Sequence, residues 1–362
     1  MKIAVIGGGI NGLFSSWALS KKGHKVSLYE AEQVLSKTSS SSSKLLHGGI
    51  RYLEQGHFSL VAEALKDRHW WITNAPQHVK SIKLIAPIYK DSTRKMPIML
   101  LGALFYRILS GSYSLGPSRY INLKNLKEVC PDLHNSKLKS AVAFYDAQMD
   151  EEALGDWVRK KSISSGVDIF ENIKIDNFNC LGEINFQNEK EKFDLIINAA
   201  GPWANELNIK NNIKTNYSLD LIKGSHILIK RNVSNFFLFQ DQASRRIVFV
   251  LPYKGSTLIG TTEVPQKNIS DVQCSDEEAS YLVNIFNSYF QKKINKSDII
   301  STFSGIRPIV KKKNKSRINF SSASRESVIE TYERVLTVYG GKWTSAPSLS
   351  KKVISIVEKK YD

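Results

Sequence analysis

Hydrophobic and polar positions alternate along the chain in blocks typical of an α/β protein. Lys2–Glu30 reads as an apolar strand, a helix and a second strand. Helical spacing of apolar residues predicts helices over Phe58–Asn74, Met96–Leu109 and Asp150–Ser164, the last with acids in its first turn and bases near its end. Phe193–Ala199 is almost continuously apolar, as expected of a strand buried in a parallel sheet.

Between residues 218 and 308 the pattern changes to closely spaced β-rich segments. These segments are Leu219–Lys230, Arg246–Tyr253, Ser256–Thr261 and Ser301–Pro308. They predict an antiparallel sheet inserted into the α/β unit. The chain then returns to that unit, because Val335–Tyr339 reads as another strand and a final helix follows the glycines behind it.

The turn after the first strand carries the spacing G-x-G-x-x-G. Gly7 allows a tight turn, Gly9 allows the backbone to approach a pyrophosphate, and Gly12 allows helix and strand to pack closely. The N–H groups at the start of the helix then face the phosphates. Glu30 ends the second strand 18 residues after Gly12, where a carboxylate can accept hydrogen bonds from a ribose. The strand, turn, helix and acid together predict dinucleotide binding.

Length and cysteine usage constrain the class of protein. A chain of 362 residues is expected to form two domains. The nucleotide unit begins at residue 3, so we expect no targeting peptide before it. The apolar segment Met96–Leu109 is too short to span a bilayer. The three cysteines, Cys130, Cys180 and Cys274, lack the spacing of a metal site. We therefore expect a cytoplasmic protein with reduced thiols and no metal, with contact at the inner face of a membrane left open.

The formal net charge of +17 allows two interpretations. It fits an anionic partner, such as a phosphorylated substrate or an acidic membrane surface. It fits equally a lysine-rich composition whose charges are solvated. The sequence holds no nucleic-acid-binding module and no basic patch interleaved with aromatic residues, which argues against a nucleic-acid partner.

Three separated segments resemble one family. They are Ser39–Glu54, which contains His-Gly-Gly-Ile-Arg-Tyr, Ser301–Pro308, which contains Ser-Gly-Ile-Arg-Pro, and Val338–Thr344, which contains Tyr-Gly-Gly-Lys-Trp-Thr. Over residues 1 to about 355 the chain resembles the FAD-dependent glycerol-3-phosphate dehydrogenases of the D-amino-acid-oxidase-like flavoprotein superfamily. The longer relatives continue as a helical C-terminal domain, so the sequence looks like a short form, which leaves its oligomeric state open.

The resemblance implies a Rossmann-like FAD-binding domain with an inserted, mainly antiparallel α+β substrate domain. We expect residues 1–80, 141–210 and 325–362 in the first domain and residues 81–140 and 211–324 in the second. The serine tract 37–43, a linker by composition, becomes an ordered loop beside the pyrophosphate. The implied FAD contacts are Gly7, Gly9, Ile10, Asn11, Gly12, Glu30, Ser42, Ser43, Lys44, Leu46, His47, Gly48, Gly49, Ala200, Gly201, Trp203, Gly305, Gly341, Lys342, Trp343 and Thr344.

The resemblance also places a group of cationic and aromatic residues above the flavin. Matched residue by residue, this group is Arg51, Tyr52, Arg307, Arg325 and Lys342. It would bind a phosphate dianion while hydride leaves carbon 2 of the substrate for flavin N5. His226 is the first candidate base, because a neutral imidazole titrates near the working pH, and a lysine of lowered pKa is the alternative. Arg307 and Lys342 would stabilise the alkoxide.

The implied reaction is oxidation of sn-glycerol 3-phosphate, or a close polyol phosphate, to dihydroxyacetone phosphate. Quinone or a soluble acceptor would take the electrons. The apolar segment Met96–Tyr106 would either dock on a membrane or quinone or pack inside the substrate domain. Two other functions stay open, an oxygen-using oxidase of another hydroxy acid or an amine, and a non-catalytic flavin-binding subunit of a complex.

Overall fold

The computed structural model describes residues 1–269, 272–313 and 327–361. The helices of these residues are α1 Ile10–Ser20, α2 Phe58–Asn74, α3 Met96–Ser110, α4 Leu123–Val129, α5 Glu151–Ser164, α6 Ala204–Lys210, α7 Asp276–Tyr289 and α8 Ala346–Lys360. The strands are β1 Lys2–Ile6, β2 Lys25–Tyr29, β3 Leu45–Leu46, β4 Val79–Tyr89, β5 Arg119–Asn122, β6 Leu138–Met149, β7 Val167–Phe170, β8 Asn177–Phe178, β9 Glu183–Phe186, β10 Glu189–Lys192, β11 Leu195–Asn198, β12 Tyr217–Ile229, β13 Phe236–Gln240, β14 Ile247–Tyr253, β15 Ser256–Gly260, β16 Val264–Gln266, β17 Ile299–Lys312, β18 Val328–Tyr332 and β19 Val335–Tyr339.

The first sheet is the nucleotide-binding type that the sequence predicts. Its strand order is β18-β19-β11-β1-β2-β7, with β1 parallel to β2 and to β11, and β18 antiparallel at the edge. Side chains of β1 alternate between two cores. Ile3 and Val5 pack towards α1, α5 and α8, whereas Ala4 and Ile6 pack towards the small sheet β10-β9-β8. Because both faces are covered, the strand is apolar from Ile3 to Ile6.

The second sheet has ten strands and is mainly antiparallel, which confirms the mixed α/β fold class. Its longest ladder joins β12 to β17, and a second long ladder joins β4 to β6. The pairing of β13 with β4 is parallel. The proposed domain boundaries stay a prediction, and β6, which crosses the boundary at residue 141, pairs within this ten-stranded sheet.

Helix α3 contains the apolar segment predicted either to dock on a membrane or quinone or to pack inside the substrate domain, and it has both a buried and an exposed apolar face. Met99, Ala103 and Tyr106 are buried in the core, so one face packs within the protein. The opposite face exposes apolar side chains, with Leu101 and Ile108 about two thirds exposed, at 68% and 70%. No helix among the described residues is long and apolar enough to cross a membrane.

Candidate active site

A cavity of about 870 Å³ runs between the glycine turns of the parallel sheet and strands β12 and β17. Its volume lies towards the upper end of the range of about 300–1,000 Å³ that is usual for ligand pockets. Most of the predicted site residues line it: Gly7, Gly9, Ile10, Asn11, Glu30, Ser42, Ser43, His47, Gly49, Arg51, Tyr52, Ala200, Gly201, Trp203, His226, Gly305, Arg307, Gly341, Lys342, Trp343 and Thr344.

The three glycines of the first glycine turn have the different roles that the motif predicts. Gly7 has φ +106°, and a Cβ there would lie 2.7 Å from the Ala199 carbonyl oxygen. A Cβ on Gly12 would lie 2.0 Å from the Gly7 oxygen, so Gly12 serves helix–strand packing and does not line the cavity. Gly9 precedes α1 and would place a Cβ near only Ser39 Oγ, at 3.3 Å. A side chain at residue 9 would therefore occupy space that the fold leaves for a ligand.

Glu30 lines the cavity at the end of β2, as predicted. Its Oε2 accepts a hydrogen bond of 2.6 Å from Gly8 N, and its Oε1 accepts one of 3.0 Å from Glu32 N. These two bonds fix the carboxylate beside the first glycine turn. A carboxylate oxygen can accept more than one hydrogen bond, so this geometry is compatible with a ribose hydroxyl.

The return of the chain at Gly340–Thr344 supports the fit of a dinucleotide. Asn11 Nδ2 donates to the Gly340 oxygen at 3.0 Å, and a Cβ on Gly341 would lie 2.3 Å from the same nitrogen. Asn11 Oδ1 is buried without a hydrogen-bond partner among the described residues. Backbone N–H groups at a helix start, together with an unmatched amide oxygen, fit a cofactor that carries both phosphates and polar groups.

The serine tract forms a turn tied to its surroundings. Ser39 accepts a hydrogen bond from Ile10 N at 3.0 Å through its Oγ, and one from Trp343 Nε1 at 2.8 Å through its carbonyl oxygen. Gly305 of β17 approaches so closely that a Cβ there would lie 2.9 Å from Ser41 Cβ. Ser42 and Ser43 line the cavity, which places two of the predicted cofactor contacts beside it.

Lys44 differs from its expected place. Its ammonium pairs with the Glu151 carboxylate and donates to the Ser40 oxygen at 2.8 Å, and Lys44 does not line the cavity. Ser42 donates to the same carboxylate through its hydroxyl. Burial raises the pKa of Glu151, and the Lys44 charge opposes that effect. The lysine therefore compensates a buried acid below the serine loop.

The segment after the serine tract contributes alternate residues to the cavity. Leu46 belongs to the hydrophobic core, and Gly48 N donates to Tyr106 Oη at 2.7 Å, so neither lines the cavity. His47 and Gly49 do line it, and His47 N donates to Thr344 Oγ1 at 3.2 Å. This bond joins two predicted cofactor segments that are far apart in sequence.

Arg307 lies on β17 with its guanidinium next to the loop between β15 and β16. Its Nη2 donates to the Thr262 oxygen at 2.6 Å, and its Nη1 lies 3.4 Å from Glu263 Oε1. A Cβ on Gly224 would lie 2.3 Å from Nη2, so glycine on the neighbouring strand leaves room for the guanidinium in this position. The sequence analysis missed Glu263, which lines the cavity and also pairs with Arg246 at 3.3 Å.

Two further predicted cations have definite places. Lys342 Nζ donates to Tyr52 Oη at 2.9 Å and lies 4.5 Å from the centre of the Tyr52 ring. Arg51 lines the same cavity from the 3₁₀ turn Ile50–Gln55. Arg325 lies outside the described residues. Three of the four predicted cations thus line one cavity.

His226 lines the cavity, but its environment is not the expected one. Its Nε2 lies 2.8 Å from Ser43 Oγ, its ring stacks on Phe303 with centres 4.8 Å apart, and a Cβ on Gly260 would lie 2.0 Å from its Cδ2. Burial, and then the charges of Arg307 and Lys44, lower the pKa of His226 to about 3. The expectation that this imidazole titrates near the working pH is therefore wrong, because it stays neutral far below that pH.

The second glycine turn lines the cavity as predicted. Gly201 has φ +55°, and a Cβ there would meet no atom within 4 Å. It follows β11, whose carboxyl end lies beside that of β1 in the parallel sheet. Ligands of such sheets bind at this edge.

Comparison with known proteins agrees with this geometry. The family model "FAD dependent oxidoreductase" matches residues 2–354. The D-erythritol 1-phosphate dehydrogenase of Brucella abortus (strain 2308) is 30% identical, over 96% of this chain and 72% of that protein. The aerobic glycerol-3-phosphate dehydrogenase of Staphylococcus aureus (strain MRSA252) is 27% identical, over 99% of this chain and 67% of that protein.

Solved structures show the same fold. The glycerol-3-phosphate dehydrogenase of Bacillus halodurans, complexed with FAD, has a TM-score of 0.78 and 22% identity, over 99% of this chain and 64% of that one. Glycine oxidase of Geobacillus kaustophilus has a TM-score of 0.77 and 18% identity, over 99% of this chain and 96% of that one. The chain spans about two thirds of the length of the dehydrogenases that it matches. With FAD as its cofactor, the chain belongs to the family of FAD-dependent oxidoreductases.

Proposed function

We propose that this chain oxidises the secondary hydroxyl of a polyol phosphate, either sn-glycerol 3-phosphate or a close relative with a longer carbon chain. The observation that carries the proposal is that Arg51, Arg307 and Lys342 line the same cavity as the glycine turns. Both named dehydrogenases above act, by their names, on polyol phosphates. FAD, when bound, supplies the hydride acceptor.

A phosphate dianion needs strong, fixed donors to replace its water shell. An arginine presents planar donors that match phosphate oxygens, and a lysine adds a mobile positive charge. Each charge-assisted hydrogen bond contributes about 1.5–3 kcal/mol. Two or three such bonds would therefore favour the phosphate ester over the free polyol by roughly two to six orders of magnitude.

The proton of the substrate hydroxyl needs an acceptor within the cavity. We assign this role to His226, whose neutral imidazole is held by Ser43 and Phe303. Because its pKa is about 3, the imidazole is a weak base. It would accept the proton only as hydride leaves carbon 2 and the hydroxyl becomes acidic, with Arg307 stabilising the oxygen. A lysine in its neutral form is the alternative acceptor, and it would then not count among the cations that bind the phosphate.

A turnover assay with matched substrates tests the proposal. The flavin-loaded protein is assayed with an artificial dye acceptor on sn-glycerol 3-phosphate, a four-carbon polyol phosphate, the two free polyols, glycine and proline, and oxygen uptake is followed in parallel. We expect dye reduction with the phosphate esters alone. Turnover of an amino acid with oxygen uptake would instead indicate an amine oxidase. Bound flavin without turnover of any compound would indicate a non-catalytic subunit.

A further inference from the structure

One short loop supplies two partners of the Arg307 guanidinium. Thr261, Thr262 and Glu263 connect β15 to β16, outside any regular element. Arg307 Nη2 donates to the Thr262 oxygen at 2.6 Å, and its Nη1 lies 3.4 Å from Glu263 Oε1. The position of this loop therefore affects where the guanidinium lies in the cavity.

A buried carboxylate outside the cavity anchors that loop. Glu278, in the first turn of α7, is 6% exposed and does not line the cavity. It accepts hydrogen bonds from Thr262 Oγ1 and, at 2.7 Å, from Ser225 Oγ. Ser225 N in turn donates to Thr262 Oγ1 at 2.8 Å, and Thr262 N donates to the Ser225 oxygen at 3.2 Å. The loop is thus fixed to β12 beside His226.

The charge of Glu278 is compensated by a buried lysine that does not line the cavity. Lys223, also buried, places its Nζ 2.9 Å from Glu278 Oε2, and Ser275 N donates to that oxygen at 3.1 Å. Although burial raises it, hydrogen bonds from Thr262, Lys223 and Ser225 bring the pKa of Glu278 below its ordinary value. The acid is therefore ionised and makes charge-assisted hydrogen bonds, which are stronger than neutral ones.

We propose that Glu278 is a positioning residue for phosphate recognition, acting through Thr262 on the guanidinium of Arg307. The role rests on the proposed function, in which Arg307 binds the substrate phosphate. A glutamine at residue 278 offers one acceptor oxygen in place of two and adds an NH₂ group. It cannot satisfy Thr262, Ser225, Lys223 and Ser275 together, so the loop and the guanidinium would shift.

The test first titrates the flavin-loaded protein with inorganic phosphate and measures binding through the change in flavin absorbance. It then measures KM and kcat for sn-glycerol 3-phosphate. We expect Glu278→Gln to weaken phosphate binding and to raise KM by about tenfold, with a smaller change in kcat and unchanged FAD content. Glu277→Gln removes an exposed acid from the same helical turn and is the matched control, expected to bind phosphate like the parent protein. A purely structural role for Glu278 would lower the melting temperature without changing phosphate affinity.

A second pair of variants tests whether Glu278 acts on Arg307 through Thr262, and these variants do not remove a buried charge. Thr262→Val deletes the hydroxyl at nearly constant volume and should weaken phosphate binding, whereas Thr262→Ser keeps the hydroxyl and should restore most of the loss. If Glu278→Gln and Thr262→Val bind phosphate as the parent does while Arg307→Ala does not, the positioning role is wrong and the proposed function stands. If Arg307→Ala also binds phosphate normally, the positioning role is wrong because Arg307 is then not part of the phosphate site, and the turnover assay with the phosphate esters decides the proposed function separately.

Discussion

At the residue scale, two glycines make room for the two side chains on which the proposed chemistry depends. A Cβ on Gly224 would collide with the Arg307 guanidinium, and one on Gly260 would collide with the His226 ring. These residues lie on the neighbouring strands β12, β15 and β17, so each large group rests against the backbone of a glycine on the adjacent strand. Fixed donors of this kind lose little conformational entropy when a substrate binds.

Replacement of Arg307 by alanine should weaken substrate binding and leave the cofactor in place. The change removes a charged donor that lines the cavity, and we expect a loss of about 2–5 kcal/mol in kcat/KM. The measurement is steady-state turnover of sn-glycerol 3-phosphate together with FAD content. Arg119→Ala is the control, because Arg119 is exposed on β5 and lies outside the cavity. Equal kcat/KM in the two variants would remove Arg307 from the substrate site.

Replacement of Gly9 by valine should prevent FAD binding without unfolding the protein. A Cβ at residue 9 would lie near only Ser39 Oγ in the fold itself, so the valine side chain should enter the space beside the helix N-terminus where we place the pyrophosphate. Flavin content of the purified variant, measured against Gly102→Val on α3, where a Cβ meets no atom within 4 Å, gives the comparison. A full complement of FAD in Gly9→Val would contradict the assignment of this turn.

Sequence predicts those site residues whose function follows from a local pattern. The glycine spacing after β1 predicts the turn at Gly7, because backbone geometry alone requires glycine there. The contacts of Lys44 and Arg307 could not be predicted in this way. Lys44 meets Glu151, and Arg307 meets the loop at Thr262, only after distant segments pack together. The resemblance supplied both residues without their partners.

At the element scale, periodicity works best where an element has one covered face. The bounds predicted for α2, Phe58–Asn74, are those of the structure. The long strands β4 and β6 show no clear alternation of apolar and polar residues, because both faces of each strand are largely buried. Helix α7 begins with a capping box of Ser275 and Glu278, a local signal that the sequence analysis did not use.

The packing of α2 against α8 should weaken as the pH rises. Asp67 of α2 accepts a hydrogen bond of 2.5 Å from Ser348 of α8, and burial raises the pKa of Asp67 to about 7. The unfolded chain releases this proton near pH 4. The folded state therefore holds the extra proton between about pH 4 and pH 7, and stability is lost across that window as the pH rises.

Asp67→Asn should therefore stabilise the protein at pH 8, by roughly 2–4 kcal/mol, and much less at pH 4. Denaturant unfolding at the two pH values measures the difference. Glu63→Gln on the same helix is the control, because we expect it to change the free energy of unfolding at pH 8 in the opposite direction. Burial raises the pKa of Glu63, but hydrogen bonds from Lys352 and Ser348 outweigh it and lower the pKa, so this variant loses stability at pH 8. Equal stability of Asp67→Asn and the parent at pH 8 would show that Asp67 is ionised without cost.

At the scale of the whole molecule, two sheets enclose one cavity between them. The parallel sheet contributes glycine turns at the ends of β1, β11 and β19, and the ten-stranded sheet contributes His226 and Arg307. Of the cations that line the cavity, Arg51, Arg307 and Lys342 are those that the sequence predicts at the substrate site. We propose that this arrangement sets the FAD site beside a site for the substrate phosphate, as oxidation of a phosphorylated alcohol would require.

We propose that the cavity binds a phosphorylated alcohol and that the bound FAD oxidises it. The measurement that tests it most directly is an anaerobic titration of the flavin-loaded protein with sn-glycerol 3-phosphate and, separately, with glycerol, followed by the visible absorbance of the flavin. We predict that the phosphate ester bleaches the flavin and that glycerol does not. A flavin that stays oxidised with the phosphate ester and with a four-carbon polyol phosphate, or that glycerol bleaches equally, would contradict the account.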